Sequence, residues 1–205
     1  MHHEALTEEG ARLFPRLSAF DSFYLAGGTA LALEIGHRIS VDFDLFSSDP
    51  IPRSLFTKAK TVFAGCTVEP IINNPDELTI LVDAVKVTFL CYPFPRIEPL
   101  VLLGGLSLLS IREIAATKAY SIGRRGTYKD YIDLYVILKN GYTSLDAIIR
   151  MAEQKFGTNF NSRLFAEQLL FMDDIEDYKI EFLGAPVSQA EVLGFFADEL
   201  QNLKV

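Results

Sequence analysis

The chain has 205 residues, 49% of them hydrophobic and 22% charged, which is enough for one sizeable core and too apolar for a disordered chain. A formal net charge of -8 and a sequence pI of about 4.9 exclude a general nucleic-acid binder coated in positive potential, so any nucleic-acid contact must come from a local basic patch. Cys66 and Cys91 lack CxxC or Cys/His ligand spacing and make no disulfide framework, as expected in a reducing cytoplasm.

The opening MHHEALTEEG lacks the apolar core of a signal peptide. No apolar run approaches the ~20 residues that span a bilayer, so a cytoplasmic protein without membrane association is expected. In chain order, residues 23–27 (FYLAG) read as a strand and 29–35, rich in Ala and Leu, as a helix. Residues 41–47 (VDFDLFS) alternate strictly and read as a second strand. Asp49, Pro50 and Pro52 mark a turn leading into a helix over 55–63. TVEPII, LTILV and VKVTFLCY follow as strands, the last two joined by a tight turn at Asp83-Ala84, where alanine is a poor second residue. Pro93, Pro95 and Pro99 then form a candidate hinge.

From Ser110 the period becomes helical. The pattern predicts helices over 111–122 and 128–138, with the glycines of GRRGT breaking the first. Thr143 with Asp146, and Ser188 with Glu191, resemble capping boxes for two later helices, and Gly157 suits the end of the first of these. Residues 189–203 carry Val192, Phe195, Phe196 and Leu203 as an apolar stripe for packing. The expected fold is α+β: a mixed sheet with flanking helices, then a helical C-terminal half, divided as 1–100 and 101–205.

Two carboxylates interrupt the apolar strand 41–47. Strand parity projects Asp42 and Asp44 to one face while Val41, Phe43 and Leu45 face the core. Such a pair is either a solvated face or a site for a cation, and Mg²⁺ accepts one or two carboxylates together with phosphate oxygens. Gly27, Gly28 and Thr29, between a strand and a helix, offer backbone N–H groups and a helix N-terminus to a phosphate. In the helical half, Lys118, Arg124, Arg125 and Lys129 form a candidate phosphate-binding patch, Lys118 and Arg125 sharing a helix face. Asp130 and Asp133 also share a face, either as site carboxylates or as acids favouring a helix N-terminus.

The stretch LAGGTALALEIGHRISVDFDLF resembles the signature of the AbiEii/AbiGii-type nucleotidyltransferase toxins, within the polymerase beta-like nucleotidyltransferase superfamily. IREIAATKAYSIGRRGTYKDYIDLYVILK resembles that family's second signature, and together the two cover residues 23–138. The resemblance implies a nucleotidyltransferase-fold core. In it, Gly27, Gly28 and Thr29 form the phosphate turn, Arg38 and Ser40 touch the triphosphate or brace the aspartates, and Asp42 and Asp44 hold Mg²⁺. It further implies that Lys118 neutralises triphosphate charge, with Arg125 beside it, and that Asp130 or Asp133 completes the site. The expected activity is transfer of a nucleotide from a nucleoside triphosphate to RNA, with a tRNA 3′ end as the best candidate. The protein would be the toxin partner of an antitoxin. A weakly catalytic nucleotide-binding protein and a small-molecule nucleotidyltransferase are the alternatives. One departure stands out: the strand position where such enzymes commonly carry a third carboxylate falls on Thr88, with Glu77 and Asp83 not obviously matching.

Overall fold

The computed structural model describes residues 1–172, 175 and 179–203, and of Arg125 the backbone alone. The chain packs as two compact units, residues 1–95 with 99–109, and residues 96–98 with 110–205. Among the described residues no helix is long and apolar enough to cross a membrane.

The first unit is built on a seven-stranded mixed sheet. In chain order its elements are α1 (Glu8–Leu13), β1 (Tyr24–Ala26), α2 (Gly27–Ile35), β2 (Phe43–Ser47), α3 (Leu55–Val62), β3 (Val68–Asn73), β4 (Glu77–Val82), β5 (Val85–Cys91), β6 (Val101–Leu103) and β7 (Leu106–Leu108). The strand order is β3-β4-β5-β2-β1-β7-β6. Strands β1 and β2 are antiparallel, β2 and β5 parallel. Period-2 alternation decides which side is apolar: Phe43, Leu45, Leu78, Ile80, Val87 and Phe89 are fully or almost fully buried on one face. Phe89 meets Phe20 at 4.7 Å and Phe23 at 5.1 Å between ring centroids, and Phe20 meets Phe63 at 5.8 Å. Each such aromatic contributes roughly 1.5–3 kcal/mol by leaving water. Val41 departs from expectation, because it precedes β2 and is 46% exposed.

The Asp83-Ala84 turn closes the β4–β5 hairpin as expected, and it does so with φ of 46° and 73°. Both residues are left-handed, the geometry that fits the strand twist but costs alanine about 1–2 kcal/mol. Ala84→Gly is therefore expected to stabilise the protein by about 0.5–1 kcal/mol after the extra unfolded-state entropy of glycine is subtracted, read as a raised urea midpoint.

On α2, Oε1 of Glu34 is buried and accepts no hydrogen bond among the described residues. Burial raises its carboxyl from an ordinary 4.5 to about 7. Between those values the unfolded chain has released the proton and the folded one still holds it. The stabilisation is thus complete below about pH 4.5 and is lost as pH rises to 7. With part of the side chain open to water, the loss should be about 1–2 kcal/mol. Glu34→Gln should flatten that decline, seen by comparing urea unfolding of the two proteins from pH 5 to 8.

The second unit is helical: α4 (Ile111–Arg125), α5 (Tyr128–Lys139), α6 (Leu145–Phe156), α7 (Ser162–Leu169) and α8 (Gln189–Gln201). Ser110 and Ser188 cap α4 and α8, accepting from the N–H groups of Glu113 and Glu191. The cap of α6 is Ser144 rather than Thr143, and Gly157 ends that helix as expected. Gly123 does not break α4, which runs on to Arg125. An added Cβ at Gly123 would make ordinary contact with Phe165 of α7, 4.0 Å from its Cα. Val192 and Phe196 of α8 are fully buried. The Tyr135 hydroxyl donates to Glu191 at 2.5 Å, fixing α8 on α5, and Lys139 Nζ lies 2.8 Å from the same carboxylate.

Candidate functional site

In the first unit, β2 delivers Asp44 and the residue before the strand delivers Asp42, both half-buried on the polar face of the sheet. In register across that face stand Ala26 of β1, Asp44 of β2, Thr88 of β5 and Thr79 of β4. Level with Asp44, the neighbouring strand therefore presents a hydroxyl and no carboxylate. Glu77, two residues from Thr79 on the same face, accepts the Thr79 hydroxyl at 2.5 Å, and Thr79 lies 3.4 Å from Thr88.

Gly27 explains how Asp44 is accommodated. Its φ is +66°, and a Cβ there would lie 2.7 Å from Oδ2 of Asp44. Only glycine lets the backbone approach the carboxylate this closely while turning from β1 into α2. The N-cap position of α2 is Ala26, whose side chain caps nothing. Gly27 and Gly28 thus open a helix whose N-terminus suits an anion.

Thr29 is buried at 3% exposure. Its hydroxyl donates to the Asp42 carbonyl and lies 2.7 Å from the Ser40 hydroxyl. Ser40 in turn donates its N–H to the Ala5 carbonyl at 2.8 Å. Thr29 and Ser40 thereby anchor the segment leading to Asp42 to α2 and to the chain's first residues. Arg38 is also buried, and its guanidinium donates to the Ile39 carbonyl at 3.1 Å.

The sequence reading missed Lys86. Val87 pairs with Phe43, which sets Lys86 on the same level and face as Asp42, with Nζ 3.2 Å from Oδ2. Nothing local in the sequence reveals this, because residues 44 positions apart come into register only through the fold.

Among the described residues, no group of three or more His, Cys, Asp or Glu side chains could hold a metal alone. Mg²⁺ needs less, since it keeps several waters and takes one or two carboxylates with phosphate oxygens. Asp42 and Asp44, beside the N-terminus of α2, fit that requirement.

In the second unit, Lys118 Nζ bonds Oδ1 of Asp130 at 2.7 Å and Oδ2 of Asp133 at 2.8 Å. Asp133 is fully buried, and Lys118 is 11% exposed at its side chain. The other oxygen of Asp130 accepts the N–H and hydroxyl of Thr127 at 3.0 Å, closing the first turn of α5. Asp130 is therefore both a helix cap and a partner of Lys118. Lys118→Met would leave Asp133 buried without this charge, and is expected to cost about 3 kcal/mol, measured by urea unfolding. Arg124 does not join the cluster: it donates to the Asn159 carbonyl at 3.2 Å and lies 4.5 Å above the Tyr120 ring. The side chain of Arg125 lies outside the described residues.

Residues 11–191 match the model of the family described as nucleotidyl transferase AbiEii toxin, type IV TA system. An uncharacterized protein of Aquifex aeolicus is 29% identical over 163 residues, covering 78% of this chain and 79% of its own. The nucleotidyltransferase toxin MenT4 of Mycobacterium tuberculosis is similar in fold, with a TM-score of 0.64 at 18% identity over 95% of this chain and 84% of that one. JHP933 of Helicobacter pylori is similar at TM-score 0.53 and 18% identity, over 80% and 74% of the two chains.

Proposed function

This chain belongs to the AbiEii family of nucleotidyltransferase toxins, and on that basis we propose that it transfers a nucleotide from a nucleoside triphosphate to an RNA acceptor in a Mg²⁺-dependent reaction. The observation that carries the site assignment is the seating of the Asp44 carboxylate against Gly27, at the start of a helix whose N-cap residue is Ala26, with Asp42 on the same sheet face.

The chemistry follows from those groups. The N–H groups opening α2 bind the phosphates and hold the α-phosphorus in place. Asp42 and Asp44 would hold Mg²⁺, which when bound polarises the phosphate oxygen and offsets charge on the pyrophosphate. Thr29 and Ser40 keep Asp42 in position. The acceptor hydroxyl attacks the α-phosphorus and gives up its proton to solvent water, the bond to the bridging oxygen breaks, and pyrophosphate leaves with its electron pair. Within the helical unit, Lys118 is held between Asp130 and Asp133, which offset its charge there. The acceptor is a tRNA 3′ end on this reading, the location is cytoplasmic, and the partner is a cognate antitoxin.

The test is incubation of the purified protein with each α-labelled nucleoside triphosphate, Mg²⁺ and total tRNA. Label entering the tRNA only when Mg²⁺ is present is the expected result. Label entering a small hydroxyl or amino compound, or the protein itself, with none in RNA would overturn the acceptor assignment.

A further inference from the structure

The least expected feature of the candidate site is the cation already in it. Among the described residues, Lys86 is the sole ionic partner of Asp42, and Asp42 the sole ionic partner of Lys86. The register of β2 on β5 holds the two side by side on the polar face. Their side chains are 39% and 46% exposed, so the pair is wet, weak and free to exchange. A divalent ion on Asp42 would bring a double positive charge next to the Lys86 ammonium, and the two repel at such a separation. Metal entry alone therefore opposes Lys86. A metal that arrives with a triphosphate does not, because its phosphate oxygens offer the displaced ammonium new partners. The lysine stem is flexible and ends in three rotatable donors, so it can make that move without backbone change.

Resting on the reading of Asp42 as a metal ligand, we propose that Lys86 is a further triphosphate-binding residue: it neutralises Asp42 in the empty site and passes to a phosphate oxygen when the metal and triphosphate enter together. Lys86 thereby disfavours metal loading without nucleotide and favours the combined complex.

The experiment measures two affinities. Mn²⁺ binding to the nucleotide-free protein is followed by electron paramagnetic resonance of the free ion. Binding of non-hydrolysable α,β-methylene analogues of the four nucleoside triphosphates, with Mg²⁺, is followed by calorimetry. Lys86→Gln should tighten Mn²⁺ binding about tenfold and weaken analogue binding about tenfold, while Lys86→Arg stays near the parent protein in both. No change in either affinity for Lys86→Gln overturns the proposal. Asp42→Asn separates this failure from that of the underlying reading. If Asp42→Asn abolishes Mn²⁺ binding and Lys86→Gln has no effect, Lys86 alone is misassigned. If Asp42→Asn binds Mn²⁺ as the parent does, the metal site and the role of Lys86 fall together.

Discussion

Asp42→Ala is expected to lower nucleotide transfer by at least about a thousandfold, equivalent to about 4 kcal/mol of transition-state stabilisation. The substitution removes one of the two carboxylates that β2 and its preceding residue present beside Gly27, and Thr88 supplies no substitute level with Asp44. It should leave stability within about 0.5 kcal/mol, because the pair it breaks with Lys86 is half exposed to water. The loss should therefore appear in kcat at an unchanged urea midpoint. Transfer within tenfold of the parent would remove Asp42 from the reaction. A fall in stability matching the fall in activity would mark it as a folding residue.

Glu113→Ala is expected to destabilise the helical unit by about 4–5 kcal/mol, a large share of the roughly 5–15 kcal/mol that holds a domain folded. Glu113 and Lys155 are both fully buried and paired at 2.8 Å. The other oxygen of Glu113 accepts the N–H groups of Ile97 and Glu98, the latter at 2.8 Å. Alanine would remove the carboxylate that faces a buried ammonium and the acceptor of two amides. The proline-flanked segment first read as a hinge is thus fixed over residues 96–98 to the helical unit, reinforced by Ser110 donating to Glu98 at 2.7 Å and by Arg112 at 3.0 Å. Glu113→Leu combined with Lys155→Met tests where the energy lies. Recovery of most of the lost stability would locate it in the loss of the ion pair, whereas a midpoint as low as the single variant would locate it in the amide contacts. A Glu113→Ala protein that unfolds like the parent would refute both.

The fold was legible where periodicity ran for five residues or more. Strands β2, β4 and β5 alternate over enough positions to separate an apolar face from a polar one, and α4 and α5 have long apolar faces. Strands β6 and β7 were not legible, because three residues each carry no measurable period and sit among prolines and glycines. Helix α7 was missed for a similar reason, its eight residues being largely polar outside Phe165 and Leu169. Gly123 misled, since a glycine inside a helical pattern reads as a break, whereas α4 tolerates it and runs on to Arg125.

The sequence by itself determined that Asp42 and Asp44 share a face, that a glycine turn precedes them, and that two family signatures lie in order, because parity, turn chemistry and motif spacing are local properties. The tertiary structure decided the partners. It placed Lys86 on Asp42, Thr88 level with Asp44, the Asp44 carboxylate against Gly27, and Lys118 between Asp130 and Asp133. Those pairings depend on strand register and helix packing between distant segments, which are set by burial of the opposite, apolar faces rather than by any feature of the charged residues themselves.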